Sequence, residues 1–165
     1  MNKRNKIIAL LIPILIVLGA IGKSEYQLAT GEVWKFKISG YDPRDLLRGH
    51  YVNYQVEFDW RKDRGVCLDK NDCCLCLDRK KDLLNSIKAS KMSCSLAVER
   101  CDGLMREEYI QELRKYFIPE DKGKALEKAI RGQEAEILVV ISDKGRPLVR
   151  DLLVGGNTWS KAIKN

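Results

Sequence analysis

Two runs of the chain alternate apolar and polar residues and predict neighbouring strands. In the first run, "EVWKFKIS", Trp34, Phe36 and Ile38 fall on one face and Lys35 and Lys37 on the other. In the second run, "YVNYQVEF", apolar residues again recur at every second position. Because side chains alternate between the two faces of a strand, both runs predict half-buried strands. They flank and partly overlap "SGYDPRDLLRGHYVNYQ", residues 39–55, here called the central segment.

The second half of the chain predicts a helix and a hairpin. "PEDKGKALEKAIRG" begins with proline and acids, has apolar residues at helical spacing and stops at Gly132, as a helix does. "AEILVVIS", "DKGRP" and "LVRDLLV" predict a hairpin whose first strand, apolar on both faces, is central. Residues 109–117 fit either a helix or a short strand ended by Pro119. Together these elements predict an α+β fold with a mainly antiparallel sheet and two or three helices.

An apolar run near the N-terminus predicts a membrane-directed helix that precedes this domain. Residues 7–22 are uncharged and mostly apolar, and three basic residues precede them. A helix over this run is about 24 Å long, and flanking lysines can extend to the interface, so it can span a membrane. A cleaved signal peptide is the alternative, because Ala20 and Gly22 are small residues suited to a cleavage site. We expect residues 1–24 to be this anchor or signal peptide, and residues 25–165 to be one exported domain.

The net charge argues against a nucleic-acid partner. If the three basic residues before the apolar run are set aside, 27 basic residues face 23 acidic ones. This mild excess, without a run of basic residues, predicts no nucleic-acid binding. Contact with an anionic membrane surface is compatible with it.

The cysteines are confined to one cysteine-rich region, residues 67–101, and agree with export. They are Cys67, Cys73, Cys74, Cys76, Cys94 and Cys101. An even number of cysteines in an exported domain predicts a disulfide framework. A zinc site at Cys73, Cys76, Cys94 and Cys101 is a weaker alternative, because the last two cysteines lack the close spacing of a zinc ribbon. Buried reduced thiols and a redox-active Cys-x-x-Cys are further alternatives.

Helical spacing limits how the cysteines can pair. Cys94, Cys101 and Met105 fall on one apolar helix face, although Gly103 can end that helix early. Two turns separate the two cysteines by about 10 Å, which exceeds the Cα distance of about 7 Å that a disulfide allows. We therefore expect each of them to pair with a cysteine of the "CCLC" segment.

The central segment carries more charge than a turn requires. A purely structural reading remains open, in which Asp42 caps a turn, Pro43 fixes its φ and Gly49 adopts positive φ. A binding reading uses Arg44, Arg48 and His50 beside tyrosines to hold a carboxylate, a phosphate or an acidic residue of a protein partner. The predicted binding residues are Asp42, Pro43, Arg44, Leu47, Arg48, Gly49, His50 and Tyr51.

A catalytic reading of the same segment is the alternative function. A serine-type envelope hydrolase would use Ser39 as nucleophile with a lysine or His50 as its base. A second lysine-bearing motif is absent from the sequence, so we expect a non-catalytic role. Neither a cofactor nor a metal is predicted.

The segment "DPRDLLRGHYV", placed between two strands and followed by "YFIPEDKGKALEKA", resembles the bacterial GDYXXLXY protein family. The family's acid after the glycine corresponds here to His50, its leucine to Tyr54 and its final tyrosine to Val56. The resemblance implies a membrane-anchored bacterial protein, and it names no reaction. Three basic residues before the apolar run, against Lys23 offset by Glu25 after it, predict a cytoplasmic N-terminus. We therefore expect a single-pass protein of the bacterial inner membrane with a periplasmic domain. The resulting prediction is a disulfide-stabilised interaction or accessory domain that assists another envelope protein.

Overall fold

The computed structural model describes residues 3–39, 51–61, 67, 69, 72–79, 87–130 and 132–163. The chain divides into two compact units, Met1–Gly31 and Glu32–Asn165. The first unit is a helix, and the second contains the strands and the cysteines.

Helix α1 spans Lys3–Thr30 and therefore continues past the expected boundary at residue 24. Within it, the 22 residues Ala9–Thr30 are long and apolar enough to cross a membrane, with a length of about 33 Å. Pro13 lies inside the helix, which membrane helices tolerate better than soluble ones. An anchor and a signal sequence both satisfy this length and composition.

The second unit is built from short strands and a few short helices. Its strands are β1 Glu32–Ser39, β2 Tyr51–Asn53, β3 Gln55–Glu57, β4 Asp59–Trp60, β5 Cys73–Arg79, β6 Ile87–Ser93, β7 Gly103–Arg106, β8 Lys115–Phe117, β9 Ala135–Ile141, β10 Pro147–Val154 and β11 Asn157–Thr158. Its helices are α2 Cys94–Arg100, α3 Gly123–Ile130 and α4 Trp159–Ala162, with 3₁₀ helices at Glu107–Arg114 and Glu120–Lys122.

The described strands form three sheets. The largest has the order β11-β10-β9-β1-β3, a second contains β5 flanked by β6 and β7 with β4 beyond β6, and a third pairs β2 with β8. All pairs are antiparallel except the parallel pair of β4 with β6. The predicted α+β class is confirmed, with antiparallel and mixed sheets and few helices. Strand β9 is central in its sheet, as its apolar sequence predicted.

Strand β1 follows the predicted alternation, but the second predicted strand is divided. Trp34 and Phe36 are buried in the core, while Lys35 and Lys37, which alternate with them, are exposed. In the second run, β2 pairs with β8 whereas β3 pairs with β1, and Tyr54 lies between the two. The chain passes from one sheet to another at this residue. Residues 109–117, left open between helix and strand, contain both, because a 3₁₀ helix leads directly into β8.

The described cysteines are all paired, and the framework centres on β5. The bonds join Cys67 to Cys73, Cys74 to Cys94 and Cys76 to Cys101, with Cα–Cα distances of 5.5, 4.9 and 5.5 Å. Cys94 and Cys101 therefore pair with the "CCLC" segment and not with each other, as expected. No free cysteine remains among these six, so the zinc and free-thiol alternatives lack the thiolates they need.

Helix α2 is shorter than the apolar spacing predicted. It ends at Arg100, and Cys101 already has extended backbone angles, φ −108° and ψ 146°. Met105, which was placed on the helix face, instead lies in β7 opposite Leu75 of β5. The expected helical position of Met105 is therefore wrong, because pairing with β5 draws this stretch into a strand.

The two larger sheets meet where the Trp34 ring lies against Gly103 of β7. A Cβ atom at Gly103 would lie 2.3 Å from Cζ2 of Trp34. The Arg79 guanidinium stacks over the same ring at 4.2 Å from its centroid. It also bonds the Glu32 carboxylate at 2.8 Å and the Val33 carbonyl at 2.7 Å. Glycine is required here because nothing larger fits beneath the indole.

We expect Gly103→Ala to lower the free energy of unfolding by about 1–3 kcal/mol, because the added methyl group must displace a packed indole. Urea unfolding with intact disulfides measures this change. Gly22→Ala is the matched control, since a Cβ there meets nothing within 4 Å. Equal stability of the Gly103→Ala variant and the wild type would contradict the packing described.

Candidate functional site

A cleft opens where the central strands β1 and β9 separate. Their pairing runs from Glu32 opposite Ile141 to Lys37 opposite Glu136. Beyond Lys37, strand β1 continues to Ser39 in pairing with β3, while the start of β9 pairs with β10. The two strand ends therefore leave a gap between them in the described part of the sheet.

Residues from both sides of this gap line the cavity, here called the β1–β9 cleft. Its volume is about 260 Å³ and it is partly open to solvent. Strands β1, β3 and β9, the residue between β2 and β3, the connection before β9 and the end of α3 contribute to it. The lining residues are Lys37, Ile38, Ser39, Tyr54, Glu57, Ile130, Gln133, Glu134 and Ala135.

The charged groups of the cleft are dominated by an ion pair at its mouth. The ammonium of Lys37 contacts the carboxylate of Glu134. This hydrogen bond and the negative charge of Glu134 raise the pKa of Lys37, and Glu136 and Glu57 add to the effect. The same contact lowers the pKa of Glu134. Both groups are thus charged at neutral pH.

Tyr54 lines the cleft and carries a buried hydroxyl group. Only 3% of this residue is exposed, and its hydroxyl has no hydrogen-bond partner among the described residues. Burial, and then the neighbouring Tyr116, raise the pKa of Tyr54, so the hydroxyl keeps its proton and remains a donor. A buried polar group without a partner is unfavourable and is uncommon in native proteins.

Tyr116 provides a direct contrast because its hydroxyl is fully engaged. It accepts a hydrogen bond from Nε1 of Trp159 at 3.0 Å and donates one to Oδ1 of Asp151 at 3.3 Å. Burial and the charge of Asp151 raise the pKa of Tyr116, against the opposing Trp159 hydrogen bond. The network connects β8 to the C-terminal hairpin and to α4. Because β8 pairs with β2, this hydrogen-bond network also holds residues 51–53, where the central segment enters β2.

Most of the predicted binding residues lie outside the described residues. These are Asp42, Pro43, Arg44, Leu47, Arg48, Gly49 and His50. Tyr51 begins β2, opposite Phe117 of β8. At the other end, Ser39 closes β1 opposite Gln55 and lines the cleft. The central segment therefore leaves the sheet and returns to it at paired residues beside the cleft.

Sequence reasoning missed most of the cleft. Lys37 and Glu57 were read only as exposed strand positions, and Gln133 and Glu134 lie in the connection after α3. These residues are far apart in sequence, and spacing alone gives no sign that they meet. The one available signal was the end of the predicted strand at Ser39, because side chains at strand ends often form sites.

The cleft chemistry suits recognition better than hydrolysis. Ser39 and Lys37 line the same cavity, as a serine–lysine pair would require. A lysine that acts as a general base needs a lowered pKa, usually through burial. Glu134 has the opposite effect on Lys37, whose side chain is 62% exposed. The described residues thus offer hydrogen-bonding groups without an activated nucleophile.

Fold and cleft together define a small α+β domain, closed by disulfides and preceded by an apolar helix. The chain belongs to the GDYXXLXY protein family, whose model matches residues 13–152. No curated protein and no solved structure gives a significant match. Of the residues in the family's name, Gly49 and Tyr51 are present here, whereas His50, Tyr54 and Val56 replace an acid, a leucine and a tyrosine.

We expect the two buried tyrosines to respond oppositely to loss of the hydroxyl group. Tyr54→Phe should leave the free energy of unfolding unchanged or raise it by up to about 1 kcal/mol, because it removes an unpaired polar group. Tyr116→Phe should lower it by about 1–3 kcal/mol, because Trp159 and Asp151 lose their partner. Urea unfolding measures the free energy of unfolding of both variants. A loss of stability in Tyr54→Phe would refute the prediction.

The raised pKa of Tyr54 also predicts a pH effect. The folded state keeps a proton that an unfolded tyrosine releases above a pH of about 10, so stability falls as pH rises through that range. Tyr54→Phe removes this contribution. The stability of the variant relative to the wild type should therefore increase between about pH 9 and about pH 11. A constant difference over this range would show that Tyr54 ionises equally in both states.

Proposed function

We propose that the chain is a membrane-tethered domain on the periplasmic side of the bacterial inner membrane, where it docks on another envelope protein. Docking uses the central segment together with the β1–β9 cleft at its base. The single observation that carries the proposal is the return of this segment to the sheet opposite its starting point, Gln55 against Ser39, beside the β1–β9 cleft.

The location outside the cytoplasm is supported by two independent features. Helix α1 contains a stretch long and apolar enough to span a membrane. The domain that follows carries three disulfides, which persist in oxidising compartments and are rare in the cytosol. The excess of basic residues before the apolar run supports a cytoplasmic N-terminus.

We expect an alkaline phosphatase fused after Asn165 to be active in intact cells, because this enzyme folds only where its own disulfides form. A β-galactosidase fusion at the same position is the matched control and should be inactive. Activity of only the β-galactosidase fusion would place the domain in the cytoplasm and refute the topology.

The chemistry of docking is supported by the charges of the central segment. Arg44 and Arg48 each offer guanidinium donors suited to a carboxylate or phosphate. An unperturbed histidine has a pKa of about 6.5, and we propose that His50 adds positive charge to this segment as pH falls. We therefore propose that an anionic group of the partner contacts this segment.

A photoreactive benzoylphenylalanine at Leu47 should crosslink the partner in cells, and the purified partner then allows affinity to be measured. We expect Arg44→Ala combined with Arg48→Ala to weaken binding about 10- to 100-fold, because hydrogen bonds to charged groups are strong. Binding to the unmodified chain should tighten as pH falls from about 7.5 to about 5.5.

Arg100→Ala combined with Lys144→Ala is the matched control. It removes the same charge from exposed positions in α2 and in the β9–β10 turn, and it should leave affinity unchanged. Equal affinity of the Arg44→Ala, Arg48→Ala variant and the wild type would refute docking through the central segment. The serine hydrolase alternative would gain support if a serine-reactive probe labelled Ser39.

A further inference from the structure

We propose that Cys67, Cys73 and Glu107 form a zinc-binding site that becomes available when the Cys67–Cys73 disulfide is reduced. The inference concerns the cysteine-rich region and does not depend on the proposed docking function. Three properties of the cluster support it: the donor atoms lie close together, the bond closes a short loop, and Cys67 lies outside the helices and strands.

The donor atoms of the cluster come from three parts of the chain. Cys67 precedes β5, Cys73 begins this strand, and Glu107 begins the 3₁₀ helix that follows β7. The two Sγ atoms and a carboxylate oxygen of Glu107 all lie within 4.8 Å of one another. Two thiolates bound to a zinc ion at about 2.3 Å are about 3.8 Å apart in tetrahedral geometry. Small side-chain movements therefore suffice once the bond is broken.

The chemistry of these donors suits zinc. Thiolate and carboxylate groups are both common ligands of Zn²⁺. The Met92 carbonyl oxygen lies 3.5 Å from the Sγ atom of Cys67, and this oxygen or a water molecule would fill the fourth position. Lys91 is the competing cation, because its ammonium pairs with the Glu107 carboxylate. Both side chains of this ion pair are partly exposed, so Lys91 can turn into solvent when the ion binds.

The Cys67–Cys73 bond is the disulfide that we expect to be reduced first. It closes a separation of 6 residues, whereas the other two bonds close 20 and 25, and stabilisation by a disulfide rises with loop length on the chain-entropy account. Cys67 also lies outside the described helices and strands. Cys94 and Cys101, in contrast, lie at the two ends of helix α2, which packs on β5. Their thiols would stay close to their partners and form the disulfides again readily.

The reaction needs a dithiol as the reductant, either a protein or a small molecule. One thiolate of the dithiol attacks the Sγ atom of Cys67, and Cys73 leaves as a thiolate. The second thiolate of the dithiol then releases Cys67 and closes the dithiol into its own disulfide. Two electrons and two protons thus pass to the cysteine pair. Both cysteines lose these protons as they bind Zn²⁺, and the ion replaces the covalent bond as the link between Cys67 and β5.

The first experiment identifies which bond opens. The full chain in detergent micelles is treated with increasing concentrations of dithiothreitol, and the free thiols are mapped by alkylation and peptide mass spectrometry. We expect Cys67 and Cys73 to be alkylated before the remaining cysteines. Earlier alkylation of another disulfide-bonded pair would overturn the inference.

The second experiment measures metal binding after the reductant has been removed. Co²⁺ is the probe, because its visible absorption reports tetrahedral coordination by thiolates. The partly reduced chain should bind a single Co²⁺ ion, and Zn²⁺ should displace it. We expect Glu107→Gln to weaken Zn²⁺ binding at least about 10-fold, because a ligand is lost. Lys91→Gln should tighten it about 2- to 5-fold, because the ammonium no longer competes for the carboxylate.

Glu108→Gln is the matched control. It removes the same charge from the neighbouring residue, whose carboxylate pairs with Arg106, and it should bind Zn²⁺ as the wild type does. Absence of metal binding by the partly reduced chain, or equal affinity of Glu107→Gln and the wild type, would overturn the inference. Docking through the central segment is measured with the oxidised chain, so either proposal can fail while the other stands.

Discussion

The close contact of the Trp34 indole with Gly103 is a constraint on how the two larger sheets pack. It joins the largest sheet to the cysteine-rich sheet through β1, which also pairs with β9 and β3, while the amide of Arg106 in β7 donates a hydrogen bond to the Gly145 carbonyl in the β9–β10 turn. Arg79 covers the indole and bonds the start of the same strand. Because β1 is held at this end and along its length, its far end at Ser39 is fixed as well. The β1–β9 cleft is therefore a consequence of where β1 is anchored.

The disulfides compensate for the small size of the cysteine-rich sheet. Strand β5 carries three of the six cysteines, each linked to a different segment. The bonds that close separations of 20 and 25 residues each stabilise the domain by about 3 kcal/mol on the chain-entropy account. The packing of β5 and β7 beneath Trp34 is thus stabilised by the oxidation of these cysteines to disulfides. These bonds are consistent with secretion or membrane anchoring, because disulfides persist in oxidising compartments.

The sequence predicted where strands and helices lie better than it predicted which strands pair with each other. Alternation marks which face of a strand is buried, so the burial in β1 and the central hairpin were predictable. It does not show which strand lies alongside, and hence the change of sheet at Tyr54 was missed. Helical spacing likewise extended α2 to Met105, because strand pairing with β5 is a long-range effect. The cleft joins residues from four parts of the chain and could not be predicted, while the binding role of the central segment stays a prediction.

Two departures from the family's motif, Tyr54 and Val56, are best considered as a pair. Leucine and tyrosine in the family's name stand two residues apart, and here Tyr54 and Val56 occupy those positions. Residues two apart lie on the same side of an extended chain, so the exchange keeps one aliphatic and one phenolic side chain on that side. Here the phenolic side chain is that of Tyr54, which is buried and lines the cleft. Leucine would fill that position without a polar group to satisfy, so the tyrosine brings a buried hydroxyl to the residue at which the chain passes from one sheet to the other.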